Sequence, residues 1–113
     1  MQSEQTDGTS FVQATLKVLG GKWKLLILWH LKDKARRYSE LKRLIPEITE
    51  KIMIQQLREL ERDGIISRTT LSEMPPKVEY AFTEYGKTLI PILKPLCDWG
   101  QEHLKRKGTD GVD

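Results

Sequence analysis

Gly64 marks the point where the hydrophobic pattern of the chain changes period, and this change constrains the fold more than any other feature. Before it, residues 50–63 carry apolar side chains at helical spacing, and they share one side of the helix: Met53, Leu57 and Leu60. After it, β-branched residues are frequent at 65–71, and a proline-containing turn at 72–76 precedes an alternating segment at 77–82. Glycine suits the left-handed residue that ends a helix. The pattern therefore predicts a helix followed directly by a β-hairpin.

Two capped helices are predicted just before the hairpin. Ser39 is a suitable N-cap for a short helix over residues 40–44. Thr49 is a suitable N-cap for the longer helix over residues 50–63. Pro46 separates the two, because proline lacks the N–H group and disfavours helix in the residue before it. The connection of about four residues has the length found in a helix-turn-helix motif.

Two further helices are predicted near the N-terminus. The first covers residues 10–19, with Ser10 as its N-cap and Gly20 at its end. The second covers residues 22–31 and is apolar on nearly every face, which places it at the centre of the domain. Residues 32–38 then read as a basic connector. The region before the hairpin is therefore expected to contain four helices, with this connector between the second and the third.

The segment from 83 to 107 is helical in pattern but contains Gly86, Pro91 and Pro95, so we expect a turn followed by a long helix. One apolar stripe along it consists of Leu89, Ile92, Leu96, Trp99 and His103. An adjacent stripe consists of Leu93, Cys97, Gly100 and Leu104. Two stripes exceed what one core contact requires, which favours burial against a second subunit. A single broad contact with the chain's own core is the alternative.

The length of 113 residues predicts one domain. We expect it to span residues 10–107, with flexible polar tails at 1–9 and 108–113. The fold class is α+β, mostly α: a winged helix-turn-helix domain with an additional helix at each end.

The outer face of the 50–63 helix carries the candidate function. Opposite its apolar side lie three cations and an amide: Lys51, Arg58, Arg62 and Gln55. Such a face suits the major groove of double-stranded DNA. We expect base contacts from the N-terminal half of the helix, namely Glu50, Lys51, Ile54 and Gln55. Phosphate contacts are expected from Ser39, Lys42, Arg43, Arg58 and, near the hairpin tip, Lys77.

Two other interpretations of this face stay open. Charged helix surfaces are commonly just solvated, and a winged helix can also serve as a protein–protein interaction module. The charged outer face disfavours the latter, although Ile52 and Ile54 keep it open. The net charge is only +3, but residues 32–43 alone carry six basic and two acidic side chains, a local excess that favours a phosphate-facing surface.

Several classes of function are disfavoured by composition. The two histidines, His30 and His103, lie far apart, and neither a metal-ligand spacing nor a catalytic triad pattern is present, so we predict no enzyme, no metal and no cofactor. The single cysteine, Cys97, cannot form an intrachain disulfide and fits a reducing compartment. The first ten residues lack a signal-peptide pattern and the longest apolar run is too short for a membrane span, so a cytoplasmic location is expected.

The sequence resembles the HxlR family of bacterial winged helix-turn-helix regulators, which are relatives of the MarR-like group. The matching motifs are Gly20-Gly21-Lys22-Trp23, Tyr38-Ser39-Glu40-Leu41, the segment from Gln55 to Gly64, Pro75-Pro76-Lys77, Thr83-Glu84-Tyr85-Gly86 and Trp99-Gly100. The resemblance implies a transcriptional regulator that binds an inverted-repeat operator as a homodimer. It also implies that the N- and C-terminal helices join the subunits, with Phe11 and Leu16 contributing beside Leu89, Ile92, Leu96, Trp99 and His103.

The resemblance has one departure. Some members carry a redox-responsive cysteine about ten residues before the glycine pair, where this chain has Ser10. Cys97 is instead predicted to be a buried structural thiol. A small-molecule effector is a further possibility, with an aromatic cavity near the dimer interface as its site: Trp23, Trp29, Trp99, Tyr85 and Phe11. Simple core packing is the alternative for these aromatic residues.

Overall fold

The computed structural model describes residues 7–108, and it is mostly helical with one small sheet. Most of the predicted tails, at 1–6 and 109–113, lies outside the described residues. The elements are α1 (Thr9–Leu19), α2 (Lys24–Leu31), β1 (Arg36–Arg37), α3 (Tyr38–Leu44), α4 (Glu50–Arg62), β2 (Ile66–Glu73), β3 (Pro76–Phe82), a 3₁₀ turn (Gly86–Leu89) and α5 (Ile90–Arg106). This order confirms the winged helix-turn-helix fold.

The wing is a three-stranded antiparallel sheet with the order β1-β3-β2. Strands β2 and β3 form the predicted hairpin, in which Ile66 faces Phe82, and its register shifts between Thr70 and Ser72. Strand β1 pairs with β3 through Arg36, which faces Tyr80. The prediction of a plain connector at 32–38 is wrong at β1, because two residues are too few to show an alternating pattern.

The core lies where α2, α3 and α4 meet the base of the hairpin. Its fully buried side chains are Ile27, Leu28, Leu41, Ile48, Met53, Leu57, Leu60 and Ile66. The predicted apolar side of α4 is therefore confirmed, and so is the central position of α2. The terminal helices contribute little, since Leu19 is the only buried residue of α1 and Leu93 the only one of α5.

Specific caps and turns position α4 and the hairpin. The Thr49 hydroxyl accepts a hydrogen bond from the Ile52 N–H, which confirms the predicted N-cap. Gly64 has φ 77°, the left-handed conformation predicted for the end of the helix. Gly86 is required for another reason, since a Cβ there would collide with the carbonyl oxygen of Ile65. The hairpin therefore leaves the end of α4 in one defined direction.

Three predicted helix starts are wrong by one or two residues. Ser39 is not an N-cap, because α3 already begins at Tyr38 and the N-cap is Arg37, whose N–H donates to the Glu40 carboxylate at 2.8 Å. Ser10 is not a cap either, since α1 begins at Thr9 after Gly8, so the tail predicted for 1–9 is too long. Helix α2 begins at Lys24, not at residue 22. Several neighbouring residues can serve as an N-cap, so the same sequence pattern is compatible with helix starts that differ by one or two residues.

Helix α5 contradicts one prediction directly. Cys97 was predicted to be a buried thiol, but it is exposed in the single chain. The reason is that α5 runs away from the domain after Leu93, and every later residue up to Gly108, apart from the half-buried Gly100, is exposed. The alternative in which both stripes pack against one broad core is thereby contradicted for this chain alone.

Candidate nucleic-acid interface

A groove of about 900 Å³ separates the outer side of α4 from the hairpin. Helix α3 and strand β1 contribute Arg37, Tyr38 and Ser39 to its lining, α4 contributes Glu50, Ile54, Arg58 and Glu61, and the hairpin contributes Arg68, Pro75, Pro76, Lys77, Val78 and Tyr80. The groove is bordered by a helix start on one side and by a hairpin tip on the other. The N-terminal residues of the second helix are the part of a helix-turn-helix protein that contacts base edges in the major groove.

The structure brings five of the predicted contact residues to this groove: Ser39, Glu50, Ile54, Arg58 and Lys77. Lys51 and Gln55 are exposed on the neighbouring surface of α4, and Arg43 is exposed on α3. Within residues 7–108 neither Arg58 nor Lys77 has an ion-pair partner. These two cations are therefore available to an anionic ligand.

Lys42 is engaged within the chain. Its ammonium donates a hydrogen bond of 2.6 Å to the carbonyl oxygen of Ile48, and the side chain is only partly exposed. This bond connects α3 to the turn just before the N-cap of α4. Lys42 therefore holds the helix-turn-helix connection, a role that its charge alone did not indicate.

Tyr38 lines the groove and was not among the predicted contact residues. Its hydroxyl is buried without a hydrogen-bond partner among the described residues. Burial raises the pKa of this phenol, and the nearby negative charge of Glu50 raises it further. Tyr38 therefore stays neutral and can donate to an acceptor that enters the groove. Its proximity to Glu50 depends on the packing of α3 beside α4, which no local motif encodes.

Lys24 is a second residue that sequence reasoning missed. It lies in the first turn of α2 with only 5% of its surface exposed, and its Nζ lies 2.6 Å from a carboxylate oxygen of Glu59 on α4. The pair joins the central helix to the helix that borders the groove. A single charged residue within the apolar segment 23–31 was the available signal.

The predicted interface residues form an exposed apolar surface on the terminal helices. Exposed fractions are 62% for Phe11 and 60% for Leu16 on α1, and 48% for Ile92, 48% for Leu96 and 68% for Trp99 on α5. His103 stacks on Trp99 with ring centroids 5.1 Å apart. Leu89 differs, because it is half-buried against the core.

Of the five aromatic residues predicted to line an effector cavity, Tyr85 lines one that lies within the single chain. A cavity of about 240 Å³ lies between α1 and the 3₁₀ turn and is lined by Tyr85, but not by Trp23, Trp29, Trp99 or Phe11.

Over residues 7–108, no helix is both long and apolar enough to cross a membrane. The same part of the chain contains no group of three or more acidic, histidine or cysteine side chains arranged to hold a metal ion.

Comparisons with known proteins agree with this geometry. The uncharacterized HTH-type transcriptional regulator YtcD of Bacillus subtilis (strain 168) is 57% identical over 95 residues, which cover 84% of this chain and 75% of YtcD. YkvN of the same organism, also named an uncharacterized HTH-type transcriptional regulator, is 50% identical over 99 residues, covering 88% of this chain and 84% of YkvN.

Solved structures are similar over the same region. A crystal structure of ytcD superposes with a TM-score of 0.79 at 55% identity, covering 83% of this chain and 96% of that one. The redox regulator HypR in its oxidized form superposes with a TM-score of 0.76 at 46% identity, covering 80% of this chain and 94% of that one. The family described as HxlR-like helix-turn-helix matches residues 18–108, from the end of α1 to the residues just after α5. The chain therefore belongs to the HxlR-like helix-turn-helix family.

Proposed function

We propose that this protein is a sequence-specific double-stranded DNA-binding transcriptional regulator, which acts as a homodimer on an inverted-repeat operator. The observation that carries the proposal is the groove between α4 and the hairpin, where Arg58 and Lys77 have no ion-pair partner within residues 7–108. Its relatives are named transcriptional regulators, which supports the same class of function.

Base recognition is assigned to the N-terminal half of α4. Glu50, Lys51, Ile54 and Gln55 lie on its first two turns, and Lys51 and Gln55 are exposed. A lysine can contact guanine, a glutamine can bond adenine with two hydrogen bonds, and a glutamate can accept from cytosine. The exposed face of α4 is charged, which disfavours the alternative of a protein–protein interaction module.

Phosphate contacts are assigned to residues on both sides of α4. Arg43 is exposed on α3 and Lys77 is exposed near the hairpin tip. Arg58 and Ser39 lie between them in the groove. Lys42 supports the contact indirectly through its bond to the turn. Such contacts fix the register of the protein on the duplex without reading its sequence.

Dimerisation is assigned to α1 and α5. Their apolar residues Phe11, Leu16, Ile92, Leu96 and Trp99 are all between 48% and 68% exposed in the single chain. A soluble protein rarely leaves such a surface uncovered, and a second copy of the chain would cover it. The two α4 helices would then enter successive major grooves roughly 34 Å apart. A cytoplasmic location is part of the same proposal.

The proposal is tested by selecting binding sites from random duplex DNA at two salt concentrations. We expect enrichment of an inverted repeat. Lys51→Ala and Gln55→Ala should lose preference at particular base pairs, whereas Arg43→Ala should weaken binding to all sequences equally. Failure to enrich any sequence, or unchanged preferences in both α4 variants, would show that α4 does not read DNA.

A further inference from the structure

Tyr38 belongs both to the core and to the groove. It is the first residue of α3, its ring packs against the hydrophobic core, and it lines the groove between α4 and the hairpin. Its hydroxyl has almost no surface accessible to solvent and no hydrogen-bond partner among the described residues. A buried hydroxyl in that state is unfavourable, because folding removes its bonds to water and replaces them with none. Phenylalanine would keep the ring contacts without this cost, so we expect the hydroxyl to serve a ligand.

Neighbouring residues leave the hydrogen of this hydroxyl free. Burial is the main cause that raises the pKa of the Tyr38 phenol, and Glu50 and Tyr80 raise it further by electrostatic repulsion of the phenolate. Neither of these two residues accepts a hydrogen bond from the hydroxyl. Tyr38 is therefore a protonated donor at neutral pH, and its hydrogen is available to an acceptor from outside the chain.

The charge around the hydroxyl favours an anionic ligand. The lining of the groove contains two carboxylates, from Glu50 and Glu61, and four cationic side chains. In the part of the chain that the structure describes, none of the four cations has an ion-pair partner: Arg37, Arg58, Arg68 and Lys77. The groove therefore offers unpaired positive charge beside an unpaired hydrogen-bond donor.

The position of Tyr38 selects the DNA backbone as this ligand. In a helix-turn-helix protein the first helix crosses the backbone while the second enters the major groove, and α3 is the first of the two here. Tyrosine is among the side chains that donate hydrogen bonds to phosphate oxygens. We therefore propose that the Tyr38 hydroxyl donates a hydrogen bond to a phosphate oxygen of the DNA. The inference rests on the proposed function and adds a contact residue to it.

The contact requires a small rearrangement of the groove. The hydroxyl is covered in the free protein, so side chains that line the groove must turn aside before a phosphate reaches it. Arg58 and Lys77 are long and unpaired, so they are free to turn toward neighbouring phosphates. The bound phosphate then supplies the acceptor that the folded chain does not provide.

Such a contact differs from that of a lysine or an arginine in three measurable ways. A hydroxyl carries no charge and displaces no counterion, so its loss should lower affinity without changing the slope of log affinity against log salt. A phosphate contact carries no sequence information, so base preferences should stay as they are. The free protein should lose no stability when the hydroxyl is removed, because the hydroxyl has no partner there among the described residues.

The test is Tyr38→Phe, which removes the hydroxyl and keeps the ring. Binding is measured by fluorescence anisotropy on the selected operator and on an unrelated duplex, over a range of salt concentrations. We expect affinity to fall about tenfold for each bound subunit on both duplexes, as for the loss of a hydrogen bond to an ionised group, with the salt slope unchanged. Urea denaturation should give a midpoint at least as high as that of the wild-type protein.

Tyr85→Phe is the matched control, because Tyr85 is 66% exposed and lies outside the groove. It should change neither the affinity nor the urea midpoint. A second measurement replaces single phosphates of the operator by neutral methylphosphonates. At one position in each half-site, this replacement should weaken binding of the wild-type protein more than binding of Tyr38→Phe, because the variant has already lost the contact.

Three outcomes overturn the inference while leaving the proposed function intact. Unchanged affinity in Tyr38→Phe would show that the hydroxyl does not contact DNA. A lower urea midpoint would show that the hydroxyl has a partner within the folded protein. A loss of affinity confined to one base pair would show that Tyr38 reads a base and not a phosphate. If the wild-type protein bound neither duplex, the proposed function would fail, and this inference with it.

Discussion

The helix-turn-helix and hairpin, residues 24–82, differ sharply in packing from the terminal helices α1 and α5. The former contain all eight of the largest fully buried side chains, from Ile27 to Ile66. The terminal helices have 11 and 17 residues, yet each contributes one buried residue, Leu19 and Leu93. The proposed DNA-reading region is therefore complete within one chain, whereas the terminal helices carry apolar surface that one chain does not cover.

The two regions also use ion pairs differently. Lys24 and Glu59 lie 2.6 Å apart with the lysine side chain 6% exposed, whereas Lys94 and Asp98 on α5 lie 2.6 Å apart with side chains 73% and 54% exposed. Exposed pairs contribute little to stability, since water screens them and their side chains lose entropy. Two ion pairs with the same N–O distance therefore differ in their effect. The buried pair constrains how α2 packs against α4, whereas the exposed pair lies within α5 alone.

The largest expected effect comes from charging the surface of α5. Leu96→Glu should dissociate the proposed dimer, since a carboxylate would be buried against the partner's apolar side chains. Affinity for an inverted repeat should then fall roughly 100-fold or more, because the two half-sites no longer bind as one unit. Light scattering gives the oligomeric state and anisotropy gives the affinity.

Leu26→Glu is the matched control for that variant, since Leu26 is 43% exposed on α2 and Leu96 is 48% exposed on α5. It should leave the mass of the particle unchanged. If the wild-type protein were monomeric at micromolar concentration, the apolar surface of α1 and α5 would not be a dimer interface, and our interpretation of the terminal helices would be wrong.

Truncation within the core of the DNA-reading region should have the next largest effect. Leu57 is 1% exposed on α4, so Leu57→Ala should lower the free energy of unfolding by about 2–5 kcal/mol through lost burial and a cavity. Urea denaturation measures it. Leu71→Ala is the control, because Leu71 is 49% exposed on β2 and its loss should cost at most about 0.5 kcal/mol. Equal costs at both positions would contradict the described core.

A smaller effect distinguishes the starts of α4 and α1. Helix α4 has a side-chain cap in Thr49, while α1 begins after Gly8, which makes no side-chain cap. Thr49→Ala should lower the free energy of unfolding by about 1 kcal/mol, and Thr49→Ser should restore most of it. Thermal denaturation of the three proteins checks this. If Thr49→Ser were as unstable as Thr49→Ala, the loss would not be due to the hydroxyl.

The smallest expected effect concerns single phosphate contacts. Lys77→Ala at the hairpin should weaken binding to all duplexes and reduce the slope of log affinity against log salt by about 0.9 if it removes one contact. Lys105→Ala, an exposed cation on α5, should leave that slope as it is. Salt titrations of both variants provide the measurement. A change of slope in Lys105→Ala but not in Lys77→Ala would indicate that DNA contacts the terminal helices and not the hairpin.

Local signals in the sequence predicted the helix-turn-helix well. The apolar side of α4, the Thr49 cap and the end at Gly64 are all confirmed, because each depends on residues within one or two turns of one another. Five of the predicted contact residues lie together, since Ser39, Glu50, Ile54, Arg58 and Lys77 line one groove, and their contacts with DNA stay a prediction. Lys51, Gln55 and Arg43 lie on the surface beside it, and their contacts with DNA stay a prediction.

The errors have a common cause. Whether Ser39 or Arg37 caps α3 depends on the pairing of β1 with β3, which joins residues more than 40 positions apart. The burial predicted for Cys97 followed from its place on an apolar stripe, and the chain's own core does not cover that stripe because α5 leaves the core after Leu93. Periodicity tells which side of a helix is apolar, but not what covers that side.

The sequence by itself determined the order of the helices and the hairpin, the apolar side of α4 and its cationic face, since these follow from spacing and residue type along a continuous segment. Only the tertiary structure decided that Lys42 bonds the turn, that Tyr38 lines the groove and that Lys24 meets Glu59. Each of these depends on the angle and distance at which two separate elements pack. That geometry is set by the whole core at once, and so no local pattern carries it.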